Sequence, residues 1–147
     1  MVPLFLIPII VGLTTQFSKR FFNKRWWSNV SVGGGVKLPR YGGMPSAHTA
    51  FAISLMTTAW LVDGWYSMTF AITSAVTIFI LDDALRMRMF LGRHGLALHQ
   101  LIQSLPAEEQ KNYPALETQL GHKPAEVLVG AIVGFIFSFV LYQMLVL

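Results

Sequence analysis

Four windows of this chain hold no Asp, Glu, Lys or Arg: residues 1–18, 41–62, 64–81 and 127–147. Each is close to the roughly 20 residues that take a helix across a hydrocarbon core. In lipid a spanning segment must satisfy its own backbone polar groups, and at this length a helix does so. The windows therefore predict four membrane helices, near 2–18, 45–62, 65–82 and 125–146. Composition agrees, with 12% charged residues against about 25% in soluble domains. The length of 147 residues predicts a single domain, 1–147. Pro3 and Pro8 interrupt the first segment. It lacks a positive n-region and a small-residue cleavage site, and reads as a retained helix. Residues 84–103 interleave Arg86, Arg88, Arg93, His94 and His99 with apolar side chains. They predict an amphipathic helix at the interface or packed under a site. Residues 104–119 are polar, carry two prolines and read as a surface connector or a lid. The expected fold class is an all-α integral membrane protein: a compact bundle of about four transmembrane helices plus one interfacial amphipathic helix.

All eleven Lys and Arg fall in two segments. Lys19, Arg20, Lys24, Arg25, Lys37 and Arg40 lie between the first two helices. Arg86, Arg88, Arg93, Lys111 and Lys123 lie between the last two. Helices two and three are joined by Asp63-Gly64 with no basic residue. The positive-inside rule puts both basic segments in the cytoplasm and both termini outside. Setting aside Lys19, Arg40 and Arg88 as ligand-binding cations leaves that orientation unchanged. Most of the cluster at 19–25, followed by Trp26 and Trp27, reads as a membrane-surface anchor with the two rings at headgroup level.

Two of the predicted helices begin unusually. GGMPSAH, residues 42–48, opens the second with two glycines, a proline, a serine and a histidine. Pro45 suits the first helical position. That places Ser46 and His48 in the first turn, where unpaired N–H groups and the helix dipole favour an anion. Gly42 and Gly43 permit close backbone approach. LGHKPAEV, residues 120–127, opens the last helix. Its His122 and Glu126 are four apart, so on a common helix the carboxylate can orient the ring. Both starts fall on the cytoplasmic side, so they can converge. Two histidines, one with a carboxylate, among spare cations form a constellation for phosphoryl transfer. One imidazole attacks phosphorus, the other protonates the leaving oxygen, and the cations stabilise the equatorial oxygens. Such chemistry calls for no metal and no cofactor. His94 and His99 are five apart, which is not a helical metal pair. With no cysteine, thiolate catalysis and cysteine metal sites are excluded.

GGMPSAHTA and LGHKPAEV, with DDALRMRMFLG at 82–92 between them, resemble the divergent branch of the type 2 phosphatidic acid phosphatase superfamily. That superfamily includes lipid phosphatases, bacterial acid phosphatases and vanadium haloperoxidases. The resemblance spans roughly residues 10 to 140. Its Pro-Ser-Gly-His motif matches Pro45, Ser46, Ala47 and His48. This implies that His48 is the general acid and Ser46 a phosphate contact. Its His-x3-Asp motif matches His122 and Glu126. This implies that His122 is the nucleophile forming a phosphohistidine, with Glu126 orienting it. The branch's Asp-Ala…Arg-Arg…Gly pattern matches Asp83, Ala84, Arg88 and Gly92, so Arg88 is implied as a phosphate ligand and Asp83 as its structural support. The first motif, Lys-x6-Arg-Pro, is not intact. Lys19 with Arg25 is one residue short, and Lys19 is favoured as the motif lysine with Arg40 as substitute cation. The Ser-Arg that should precede His122 is absent, Met89 stands for the second arginine, and Ala47 replaces a glycine.

The expected function is a metal-independent phosphatase, a phosphoric ester hydrolase acting on a lipid phosphate monoester or diphosphate at the cytoplasmic leaflet. The alternative is a catalytically inactive member that binds phospholipid headgroups or supports a membrane complex. The expected partners are the bilayer and the lipid phosphate, not nucleic acid. The expected location is the plasma membrane, or the inner membrane of a bacterium, with the site facing the cytoplasm. In the last helix Gly130 and Gly134 are four apart. That spacing suits close helix packing, either inside the bundle or in a homodimer.

Overall fold

The structure, a computed structural model, describes residues 3–22, 29–32, 36–39, 43–113 and 124–146. Helix α1 spans Leu6–Phe22. Pro8 falls in its first turn, where a helix has no intrahelical N–H bond to lose. A short antiparallel hairpin follows, β1 Asn29–Val32 and β2 Val36–Pro39, with Asn29 opposite Pro39 and Val32 opposite Val36. It adds two strands to the all-helical expectation. Its β-branched valines suit a pleated ribbon, and its length is too short to register as a window of composition.

Helix α2 spans Ala47–Asp63 and α3 spans Met68–Asp82. The turn between them is longer than Asp63-Gly64. Gly64 ends α2 at φ +83°, a left-handed conformation that glycine adopts without strain. Ser67 then caps α3: its Oγ accepts from the Phe70 amide at 3.1 Å and donates to the Gly64 carbonyl at 2.8 Å. Ser67→Ala is expected to cost about 1 kcal/mol, read as a lower thermal midpoint of the detergent-solubilised protein.

Helix α3 does not end at Asp82. A π-helical turn, Asp83–Met87, joins it to α4, Arg88–Gln103. Met68–Gln103 is one continuous helix of 36 residues, about 54 Å long against a hydrocarbon core of about 30 Å. The amphipathic segment expected as a separate interfacial helix is therefore an extension of α3. In α4 itself only Gly92 is buried. A single turn, α5 Ala107–Gln110, and the last helix, α6 Pro124–Val146, complete the described chain.

Met68–Gln103 and α6 are long and apolar enough to cross a membrane. The other two expected spans are shorter than their windows. α1 and α2 have 17 residues each, about 25 Å. Prolines and caps consume the ends of both windows, so two of the four expected crossings reach full length.

Helix α2 is the hub, packed against α1, α3 and α6. Its contact with α6 is nearly backbone to backbone. A Cβ on Gly130 would lie 2.5 Å from the Ser46 carbonyl oxygen, and one on Gly134 would meet the Ala50 carbonyl oxygen. One turn further, the Ser54 and Ser138 hydroxyls pair at 2.5 Å. Residues 46, 50 and 54 thus meet 130, 134 and 138 in the same direction, so α2 and α6 are parallel. The glycine pair serves packing inside the chain, the first of the two uses its spacing allowed. On the other side Thr77 Oγ1 donates to the Ala52 carbonyl at 3.0 Å, joining α3 to α2.

The interior is small and hydroxylated: Ala50, Ala52, Thr49, Ser54, Thr57 and Ser138 are almost fully buried. The exterior is large and apolar, with Phe5, Leu13, Phe17, Phe79, Leu128 and Ile136 each more than half exposed. A water-soluble domain hides the second set. Helices that meet lipid instead associate through small residues and hydroxyls. Trp60, Trp65 and Phe70 cluster at the α2–α3 turn, with ring centroids 4.7 and 5.2 Å apart. Such aromatic groups favour a membrane–water boundary.

Candidate functional site

Because α2 and α6 are parallel, their first turns lie at the same end of the bundle. The amide of Ser46 donates to the carbonyl of Glu126 at 3.1 Å and ties the two starts together. Ser46 is the N-cap of α2, with extended backbone, so the helix begins at Ala47. Pro45, expected at the first helical position, stands two residues earlier. Gly43, at φ +93°, turns the chain into this start. The Ser46 hydroxyl accepts from the Thr49 amide at 3.4 Å and the Thr49 hydroxyl at 2.9 Å, fully buried. Ser46, for which the resemblance implies a phosphate contact, thus gives its amide proton and its hydroxyl lone pairs to the fold.

His48 follows on the first turn of α2 and is exposed. The charges that act on it belong to Arg88, Lys19 and Asp83. Asp83 and Arg88 line a common groove with it. Lys19 sits in the last turn of α1, where a cation complements the helix dipole. It is 3% exposed. Glu126 attracts its ammonium and Arg88 repels it. Glu126 lies in the first turn of α6, the end where the dipole favours a carboxylate. Lys19, His48, Asp83, Arg88 and Glu126 are thus gathered at one end of the bundle from four places in the sequence.

The π turn fixes Arg88. Its Nε donates to Asp83 Oδ2 at 2.9 Å, and its backbone N–H reaches the Asp83 carbonyl, five residues back. In a regular α-helix residues five apart are rotated by about 140° and cannot pair in this way. An i→i+5 turn brings them onto one face. Asp83 thus pairs with Arg88, and Asp82 with Arg86 at 2.5 Å. The π turn was missed. Its available signal was the five-residue spacing between Asp83 and Arg88. The outer pair, Asp82–Arg86, is well exposed and of little energetic weight.

His122 and Arg40, with Lys24 and Arg25 of the broken first motif, lie outside the described residues. The described members set two cations against two carboxylates at a partly enclosed end, with a histidine at its opening and Glu126 acting on a buried lysine. Such an arrangement can bind an anion and move a proton at its edge.

A sequence model of the divergent PAP2 family matches residues 2–137 of this chain. The uncharacterized membrane protein YuiD of Bacillus subtilis (strain 168) is 30% identical over 111 residues, covering 68% of this chain and 70% of the relative. No solved structure matches the chain.

Proposed function

This chain belongs to the divergent PAP2 family of membrane proteins, and from that premise we propose that it is a metal-independent phosphatase of lipid phosphate monoesters or diphosphates. The observation that carries this reading is the parallel docking of α2 on α6. It joins the start that bears His48 to the start that bears Glu126, with Lys19 and Arg88 alongside.

His122 is the nucleophile of this reaction. Its ring nitrogen forms a bond to phosphorus as the bond from phosphorus to the lipid oxygen breaks. His48 gives its proton to that oxygen, and the lipid alcohol, or the monophosphate of a diphosphate substrate, departs. Water then attacks the phosphohistidine, passes a proton to His48 and releases inorganic phosphate. Lys19 and Arg88, with Arg40, stabilise the equatorial oxygens, and Glu126 orients the nucleophile. Asp83 holds Arg88 by its Nε edge. The site faces the cytoplasm and the termini lie outside. That orientation is supported by the confinement of all eleven Lys and Arg to segments 19–40 and 86–123.

One observation favours the second reading, a headgroup binder without turnover. Ser46 is fully buried and its amide donates to the Glu126 carbonyl, which removes one donor from the expected cradle. Phosphate release by the purified protein separates the two. With EDTA present, a panel of phosphatidate, phosphatidylglycerol phosphate and isoprenyl phosphates should include at least one substrate, and vanadate should inhibit its turnover. Vanadate mimics five-coordinate phosphorus, and a scaffold has no reason to bind it tightly. No release from any member of the panel would leave the headgroup-binding reading.

Asp83→Ala tests the role given to the π turn. The pair is partly exposed, so stability should change by less than about 1 kcal/mol. The vanadate concentration for half-inhibition should rise about tenfold as Arg88 loses its orientation. An unchanged inhibition curve would remove Arg88 from the phosphate clamp.

A further inference from the structure

Helix α1 carries one hydroxyl that the fold leaves unspent. Thr15 is 3% exposed, and its Oγ1 has no hydrogen-bond partner among the described residues. A helical threonine ordinarily donates to a carbonyl three or four residues back. For Thr15 the acceptor four residues back is Val11, and that carbonyl is already taken twice. It accepts the helical N–H and the Thr14 hydroxyl at 3.1 Å, which uses both of its lone pairs. Ser18 donates to the Thr15 carbonyl at 2.8 Å. Of these three hydroxyls only that of Thr15 keeps its proton unshared. A buried donor in that state is costly until an acceptor reaches it.

An acceptor has room to do so. Thr15 lines a cavity of about 270 Å³ between α1 and α6. The α6 wall is apolar: Val129, Val133 and Phe137 are four apart and share one face. Met44 and Pro45 border the cavity at the end where α2 begins. It shares no lining residue with the two grooves that hold His48. Helix α1 finishes at this end of the bundle and α6 starts there, so depth increases from Ser18 to Thr14 on one wall and from Val129 to Phe137 on the other. The hydroxyls therefore stand in the upper part, with side chains of hydrocarbon alone below them. Phe137, 51% exposed at the deep end, opens that end toward lipid. Thr15 is four residues from Lys19 along α1, about 6 Å further into the bilayer.

The matching ligand is a hydrocarbon chain with one carbonyl close to its polar end, just below the level of the charged groups. In a bilayer the acyl ester of a phospholipid has that form and that depth. We propose that the α1–α6 cavity is a binding site for one acyl chain of a resident ester-linked phospholipid, whose ester carbonyl accepts from Thr15 Oγ1. No charged side chain lines the cavity, so recognition is by the ester and the chain, not by the headgroup. This lipid is held and not turned over, since neither His48 nor Arg88 lines the cavity. Its binding is independent of any phosphatase activity.

Ester-linked and ether-linked phosphatidylcholine of equal chain length share a headgroup and differ in the carbonyl. Each is titrated onto the purified, delipidated full chain in detergent and followed by native mass spectrometry, beside Thr15→Val. The wild type should bind the ester lipid about three- to tenfold tighter, the weight of one hydrogen bond. Thr15→Val keeps the shape of the side chain and removes the donor, so it should bind both lipids alike, at the level of the ether lipid. Thermal midpoints give a second readout. Without lipid, Thr15→Val should be at least as stable as wild type, because the lost hydroxyl bonded to nothing. With ester lipid, the wild type should gain more than the variant. Equal binding of the two lipids by the wild type, binding of neither, or an ester preference that survives in Thr15→Val would overturn the assignment. So would a lipid-free Thr15→Val that is less stable or fails to fold, because the hydroxyl would then serve the fold itself.

Discussion

Replacing His48 with alanine should lower turnover of an alkyl phosphate by about 10²- to 10⁴-fold and leave hydrolysis of p-nitrophenyl phosphate far less affected. The difference follows from the role assigned to this imidazole. An alkoxide is a poor leaving group and needs a proton as the phosphorus–oxygen bond breaks. A nitrophenolate leaves without one. His48 stands at the mouth of the site, exposed, with the Lys19 and Arg88 charges beside it. That position suits proton delivery to an oxygen arriving from the bilayer. The measurement is kcat for the two substrates in wild type and His48→Ala. Equal losses on both would mean that His48 binds the phosphate and does not protonate the leaving oxygen.

The second large effect is on folding. Gly134→Leu should prevent α2 and α6 from docking. A side chain there meets the Ala50 carbonyl oxygen, with the Ala50 Cα at 2.9 Å and its carbonyl carbon at 3.1 Å. All three are backbone atoms of α2 and cannot rotate away. Overpacking of cores costs about 1–3 kcal/mol, and more when backbone must shift. Gly134→Ala should also destabilise, although alanine is the better helix former by about 1 kcal/mol. Size-exclusion profiles and thermal midpoints in detergent report both effects. Ile132, half exposed on the same helix, provides the control, since Ile132→Leu should leave the profile unchanged. A Gly134→Leu protein as stable as wild type would show that the parallel contact does not hold the bundle together.

That contact also explains what could and could not be read from the sequence. The helices were legible because exclusion of charge from lipid is compositional and needs no partner. The convergence of the two helix starts followed from counting basic residues. Their direct tie through the Ser46 amide and the Glu126 carbonyl did not, because backbone pairing leaves no mark on residue type. Helix ends shifted wherever a cap intervened, at Ser46 and at Ser67. The stripe Gly130, Gly134, Ser138 announced close packing, but only the fold identifies Ser46, Ala50 and Ser54 as its counterpart. The π turn was hidden because residues 68–103 have a helical composition on both sides of it. The hairpin at 29–39 was hidden by its length. Of the site, Lys19, His48, Asp83, Arg88 and Glu126 come together as a group, and Ser46 joins them as a structural residue.

The central claim is that these convergent helix starts carry phosphoryl transfer through a histidine. The most direct measurement is to mix the protein with phosphatidate labelled with ³²P in its phosphate, quench in alkali and look for label on the chain. Phosphohistidine survives alkali and is lost in acid. The account predicts alkali-stable, acid-labile label on wild-type protein, mapped to His122 and missing from His122→Ala. Phosphate release without any labelled protein, or label that persists in His122→Ala, would contradict it.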